Sequence, residues 1–245
     1  MSLRSYRYFM PTRVECGYGI AEKTGEWVKE LGIASVLIVT DKGIREANLL
    51  EGIKKSLLTE NIDYEIFDEV EPNPSAETIQ RGTDYLKQLK SDAVLAVGGG
   101  SSIDSAKGIA VMATNPGSIL DYEGVEKIPN PPLPIIAIPT TAGTGSETTN
   151  STVITNKKTA FKLGVLSSYL HPKLAILDPA LTLHLPQEIT ASTGMDALTH
   201  AIESYTSKEA NPVSQALAIH AIRMIGENVL KAYFVGTDIE SREKM

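Results

Sequence analysis

The chain has 245 residues, with 23 Lys+Arg against 30 Asp+Glu and a formal charge of −7, which is enough for one large core or two smaller ones. Its 42% hydrophobic and 22% charged residues speak against a disordered, collagen-like or coiled-coil chain. The acidic balance, without a Lys/Arg-rich block, leaves no electrostatic footprint for nucleic acid.

Residues Met1 to Met10 carry Arg4 and Arg7 with the aromatic Tyr6 between them, and no apolar stretch of signal-peptide length follows. The single cysteine, Cys16, excludes an internal disulfide and every paired-thiolate zinc motif, which fits a cytoplasmic protein. Trp27 to Leu31 ends an amphipathic stretch, and Ser35 to Thr40 is a β-branched strand closed by Asp41-Lys42-Gly43. A helix is expected from Leu49 to Thr59, a short strand over Tyr64 to Phe67, and a helix from the Ser75 cap to Leu89. The strand Asp92 to Val97 runs into Gly98-Gly99-Gly100-Ser101 and a helix to Ala113. Pro129 to Pro134 is a stiff connection to the strand Ile135 to Ile138.

Apolar strands separated by helices predict an α/β domain with a doubly wound parallel sheet, whose ligands sit at the carboxyl ends of the strands. Beyond Pro186 the pattern is helical only, over Gln187 to Lys208 and Val213 to Tyr233. The expected organisation is therefore an α/β dinucleotide-binding domain over 1–185 and an all-α domain over 186–245. All the apolar runs are too short to span a bilayer.

Three stretches carry candidate chemistry. Glycines 98 to 100 before a helix suit a phosphate or pyrophosphate, or else simply a tight turn packed against the sheet. The loop is not G-x-G-x-x-G, because position 103 is Ile103. Pro139-Thr140-Thr141-Ala142-Gly143-Thr144-Gly145-Ser146-Glu147 also follows a buried strand; its hydroxyls serve either a ligand or solvent. In the third, Asp196 and His200 stand at i and i+4 on one helix face, either as ligands of one Fe²⁺ or Zn²⁺ ion or as a surface hydrogen bond. Asp41 reads as a ribose-binding acid that favours NAD over NADP, or as a cap; it precedes the glycine loop by 57 positions, the reverse of the usual order.

Taken in order, the 98–107 segment, Pro139 to Glu147 and Gly194 to Glu203 closely resemble the iron-containing (group III) alcohol dehydrogenases. The resemblance implies a Rossmann-like nucleotide-binding domain followed by a helical metal-binding domain, a dehydroquinate synthase-like architecture. Dehydroquinate synthase-like and glycerol dehydrogenase-like enzymes are the nearest alternatives, and the Thr-rich run fits the alcohol dehydrogenases better. It implies Asp41 as the ribose acid, Asn73 as a cofactor contact, and Gly98, Gly99, Gly100, Ser101 and Asp104 as the pyrophosphate loop. Thr140, Thr141, Thr144, Val153 and Lys162 border the nicotinamide half, and Asp196 and His200 are the first two metal ligands. A strand around Arg7 to Val14 is expected to pair with a second subunit in a homodimer.

The implied function is NAD(P)-dependent interconversion of a primary alcohol or diol with its aldehyde. Two further histidine ligands are expected from later helices, but only 45 residues follow His200. His220 reads as a helix-packing histidine, so the helical domain and the metal site are expected to be truncated. The alternative is a nucleotide-binding homologue without metal-dependent turnover. Exposed apolar faces on Ile189 to Ile202 and Ala216 to Val229 predict self-association.

Overall fold

The computed structural model describes residues 5–245, so Arg4 lies outside the described residues. In chain order the elements are β1 (Arg13–Cys16), α1 (Thr24–Glu30), β2 (Ser35–Val39), α2 (Lys42–Glu46), α3 (Glu51–Thr59), β3 (Asp63–Phe67), α4 (Ala76–Leu89), β4 (Ala93–Gly98) and α5 (Gly100–Thr114). They continue with β5 (Gly124–Val125), β6 (Ile135–Pro139), β7 (Ser151–Asn156), β8 (Phe161–Leu166), β9 (Leu174–Leu177), α6 (Gln187–Thr206), α7 (Pro212–Phe234) and α8 (Ile239–Lys244).

The chain divides into two compact units. The larger, Thr12–Thr140 with Ser146–Leu181, is built on a six-stranded sheet in the order β1-β9-β6-β4-β2-β3, with every pairing parallel. Its central strands are apolar at every position because both faces are covered. The two-residue period sends Leu37, Val39, Val94, Ala96, Ile135 and Ala137 into one layer with Ile79, Ile103 and Ile109. Val36, Ile38, Ala93, Leu95, Ile136 and Ile138 enter the other, with Val28, Ile53 and Leu57. Each Leu or Ile so buried contributes about 1.5–3 kcal/mol.

Helices α4 and α5 approach closely where each has a glycine. A Cβ on Gly82 would strike Ile109, and one on Gly108 would lie 2.8 Å from Ile79 Cδ1. That contact seats α5, and so its N-terminus, against the sheet. The second sheet, β5-β8-β7, contains the antiparallel hairpin β7–β8. The N-terminal strand begins only at Arg13, and it pairs with β9 of the same chain; residues 7–12 form no strand.

The smaller unit joins the stretch ending at Pro11, Thr141–Gly145 and Thr182–Met245. Helix α7 starts at a capping box on Asn211 with Pro212 in its first turn, a strong start signal. Buried Arg242 of α8 donates to Gly236 O (2.8 Å) and Thr190 Oγ1 (2.9 Å), fastening α8 to α6. Leu217, Ile219, Leu230 and Phe234 on α7, and Met195 and Ile202 on α6, are exposed. Among the described residues no helix is long and apolar enough to cross a membrane.

Candidate functional site

At the carboxyl end of β4 the backbone turns at Gly98 with φ +150°, a conformation that favours glycine. A Cβ there would collide with the Ser102 hydroxyl, lie 2.7 Å from Ser102 Cβ and come within 3.5 Å of Asp41 Oδ2. The chain then enters α5, whose first-turn amides of Ser102 and Ile103 donate back to Gly99 O. The helix N-terminus therefore opens beside a surface that no side chain at position 98 could share. Thr140 N–H donates to Gly98 O at 3.0 Å, which ties the tip of β6 to this corner.

Asp41 reaches the same corner. It caps α2, accepting the Ile44 N–H at 3.1 Å on Oδ1, while Ser102 Oγ donates to Oδ2 at 3.4 Å. Asp41 is thus a cap, as one sequence reading has it, and it also stands beside the glycine loop. It does so because β2 and β4 are neighbouring parallel strands, with Val39 opposite Ala96. The buried hydroxyls of Thr40 and Thr140, at the tips of the strands flanking β4, have no hydrogen-bond partner. Such orphaned groups are rare in protein interiors. Asn73, exposed at φ +56°, follows β3. Glu71 holds its loop by accepting from Ser75 Oγ (2.6 Å), Thr78 Oγ1 (2.9 Å) and Lys157 Nζ (3.0 Å), and these bonds hold its carboxyl down at about 2.

Asp104, one turn further along α5, is directed at β7 instead. Its Oδ2 accepts the Val153 N–H at 3.1 Å, and its backbone carbonyl accepts from Thr152 Oγ1 at 2.9 Å. Burial raises its carboxyl to about 6 against the opposing pull of Lys107. On the β7–β8 hairpin, Val153 faces Gly164 and Thr155 faces Lys162. The two-residue period thus puts Val153 and Lys162 on one face, where both are exposed.

Lys107 was silent in the sequence except as a charge inside the apolar helical run 106–112. It is completely buried, with Nζ donating to Thr149 O (2.8 Å), Thr149 Oγ1 (3.1 Å) and Ser151 O (2.9 Å).

In the smaller unit, the Thr-rich loop rests on α6. A Cβ on Gly143 would stand 2.6 Å from Thr193 O, so Thr141 and Thr144 belong with the helix that bears Asp196. Asp196 Oδ1 and His200 Nε2 are 3.8 Å apart, both half-exposed, as their i,i+4 spacing dictates. Oxygen and imidazole donors suit a divalent ion, but among the described residues no group of three or more His, Cys, Asp or Glu side chains gathers to hold one. These two side chains do not by themselves make a metal centre. His220 is exposed on α7, so it is not the packing residue its apolar neighbours suggested; in a two-helix contact the α7 face it shares with Leu217 is left uncovered.

The sequence pattern of the iron-containing alcohol dehydrogenase domain matches residues 11–179. The chain belongs to the iron-containing alcohol dehydrogenase family. The C-terminal pattern of the same family matches residues 190–245. The chain is 42% identical over 238 residues to the NAD-dependent methanol dehydrogenase of Bacillus methanolicus, covering 97% of this chain and 62% of that protein. Its fold matches a 1,3-propanediol oxidoreductase at a TM-score of 0.95 and 40% identity, covering 98% of this chain and 63% of the other. The sulfoacetaldehyde reductase of Bifidobacterium kashiwanohense, solved with NAD+, matches at 0.93 and 33% identity, covering 98% and 64%. The chain therefore spans less than two thirds of the length of these relatives.

Proposed function

We propose that this chain carries the NAD-binding part of an oxidoreductase that interconverts a primary alcohol or diol and its aldehyde. The observation that carries the reading is the glycine corner. Gly98 admits no side chain, the N-terminus of α5 opens beside it, and Asp41 stands over it, at the carboxyl edge of a parallel sheet where such ligands bind. The Gly99 to Ser101 amides would hold the diphosphate. The Asp41 carboxylate would accept from the ribose diol and repel a 2′-phosphate. By family resemblance, Asn73, Thr140, Thr141, Thr144, Val153 and Lys162 border the rest of the cofactor. When bound, NAD supplies the hydride acceptor, and the protein supplies position and exclusion of water.

The decisive experiment is NAD-linked oxidation of a panel of primary alcohols and diols, with and without added Fe²⁺, beside NADH titration followed by fluorescence. No binding of NADH would sink the reading. A second reading is a nucleotide-binding homologue without metal-dependent turnover, which the same assay separates from the first. NADH binding without Fe²⁺-dependent oxidation would select it.

Asp41→Asn is expected to weaken NADH binding about tenfold and to narrow the preference for NADH over NADPH by a similar factor, since it removes one charge-assisted acceptor and one repulsive charge. Parallel titrations of the two cofactors check this; an unchanged ratio would remove Asp41 from the site. The exposed apolar side chains of α6 and α7 support self-association into a homodimer or larger homo-oligomer, and the lone cysteine supports a cytoplasmic setting. Sedimentation is expected to show species above the monomer mass, and a monodisperse monomer would refute self-association.

A further inference from the structure

Burying an ammonium is costly unless all its protons find acceptors, and α5 from Ala106 to Ala113 has no other polar side chain. The cost at Lys107 is offset by three acceptors for three donors, all on residues 149 and 151. The same helix grips the same stretch one turn earlier, where Asp104 takes the Val153 N–H and the Thr152 hydroxyl. Two ties, three residues apart on one helix face, form a clamp on the backbone that leads into β7. We propose that Lys107 is a positioning residue, holding the 146–153 segment, and with it Val153, in register with the helix whose first turn makes the glycine corner. Its significance for cofactor binding rests on the nucleotide reading of that corner.

The charged and titratable groups facing Lys107 are Asp104 on α5, Glu147 in the loop and His171 before β9. Burial pushes the Asp104 and Glu147 carboxyls up, and Lys107 opposes this in both. Burial also pushes the imidazole of His171 down, and Lys107 adds to that. Without the lysine, each buried carboxylate loses its cation when ionised and loses nothing when protonated, so the segment should loosen more near neutral pH than in acid.

Lys107→Met keeps the side-chain length and removes donors and charge. In the cofactor-free protein, amides of 146–153 are expected to exchange about tenfold faster, with β4 and β6 unchanged. Because burial lowers Lys107 itself to about 8 and raises Asp104 to about 6, the pair is fully charged between the two, and the NADH dissociation constant is expected to rise about tenfold near pH 7 but only about threefold near pH 5. Unchanged protection of 146–153 would overturn the proposal, as would an equal rise at both pH values, which marks mere packing. If Lys107→Met does not fold, Thr149→Val, which removes one acceptor and leaves the ammonium, is expected to speed the same amides about threefold; wild-type protection there would likewise overturn it. Failure of the wild-type chain to bind NADH would refute the nucleotide reading, while the exchange measurement still decides the role of Lys107.

Discussion

Replacing Gly98 by alanine is expected to weaken NADH binding by about 100-fold while the chain still folds. An L-residue held at φ +150° carries strain of about 1–3 kcal/mol. The new methyl would stand 2.7 Å from Ser102 Cβ, and overpacking of that kind costs about 1–3 kcal/mol more. Relief requires Ser102 or the turn to move, and either shift carries the first-turn amides of α5 and the Ser102–Asp41 contact with it. Fluorescence titration with NADH, beside a thermal melt, checks this. A Gly98→Ala protein that binds within threefold of the parent would show that the corner is only a turn.

Gly25→Ala is expected to lower stability by about 3 kcal/mol, the upper end of the usual overpacking range. In an isolated helix the change would stabilise by about 0.5–1 kcal/mol, so the sign depends on the neighbours. Here α1 crosses α3 with Gly25 directly on its backbone. The Cβ would collide with Ser56 O and lie 2.6 Å from Ser56 C and 3.0 Å from Leu57 N. Unlike the tip of a side chain, a helix backbone cannot rotate aside. The crossing is also held by the Gly25 N–H donating to Ser56 Oγ at 2.9 Å, a bond that separation of the helices would break. Urea denaturation measures the loss, and a midpoint at or above the parent's would refute it. Gly226 of α7 is the matched control. A methyl added there would meet nothing within 4 Å, so Gly226→Ala should gain the full helical preference.

The elements legible in the sequence are those whose signal is local and apolar. The runs Ser35 to Thr40, Asp92 to Val97 and Ile135 to Ile138 became β2, β4 and β6, because central parallel strands are covered on both faces and tolerate no polar break. The Ser75 cap and the Gln187 and Val213 helices were equally plain. The β7–β8 hairpin was missed because polar residues and Gly164 break its short apolar runs, and it buries Thr152, Ile154, Leu163 and Val165 on one face only. Thr152 and Ile154 before the Asn156 to Ala160 turn were the signal that could have found it.

By itself, the sequence determined the parallel α/β class, the glycine turn at 98–100, the helical character after Pro186 and the family, because each depends on neighbouring residues whose spacing carries the physics. Only the tertiary structure decided that Asp41 meets Gly98, that Asp104 is directed at β7, and that Lys107 is buried on the carbonyls of Thr149 and Ser151. Those outcomes depend on strand order and helix crossing, which join residues up to 57 positions apart. No local periodicity encodes which strands will lie side by side.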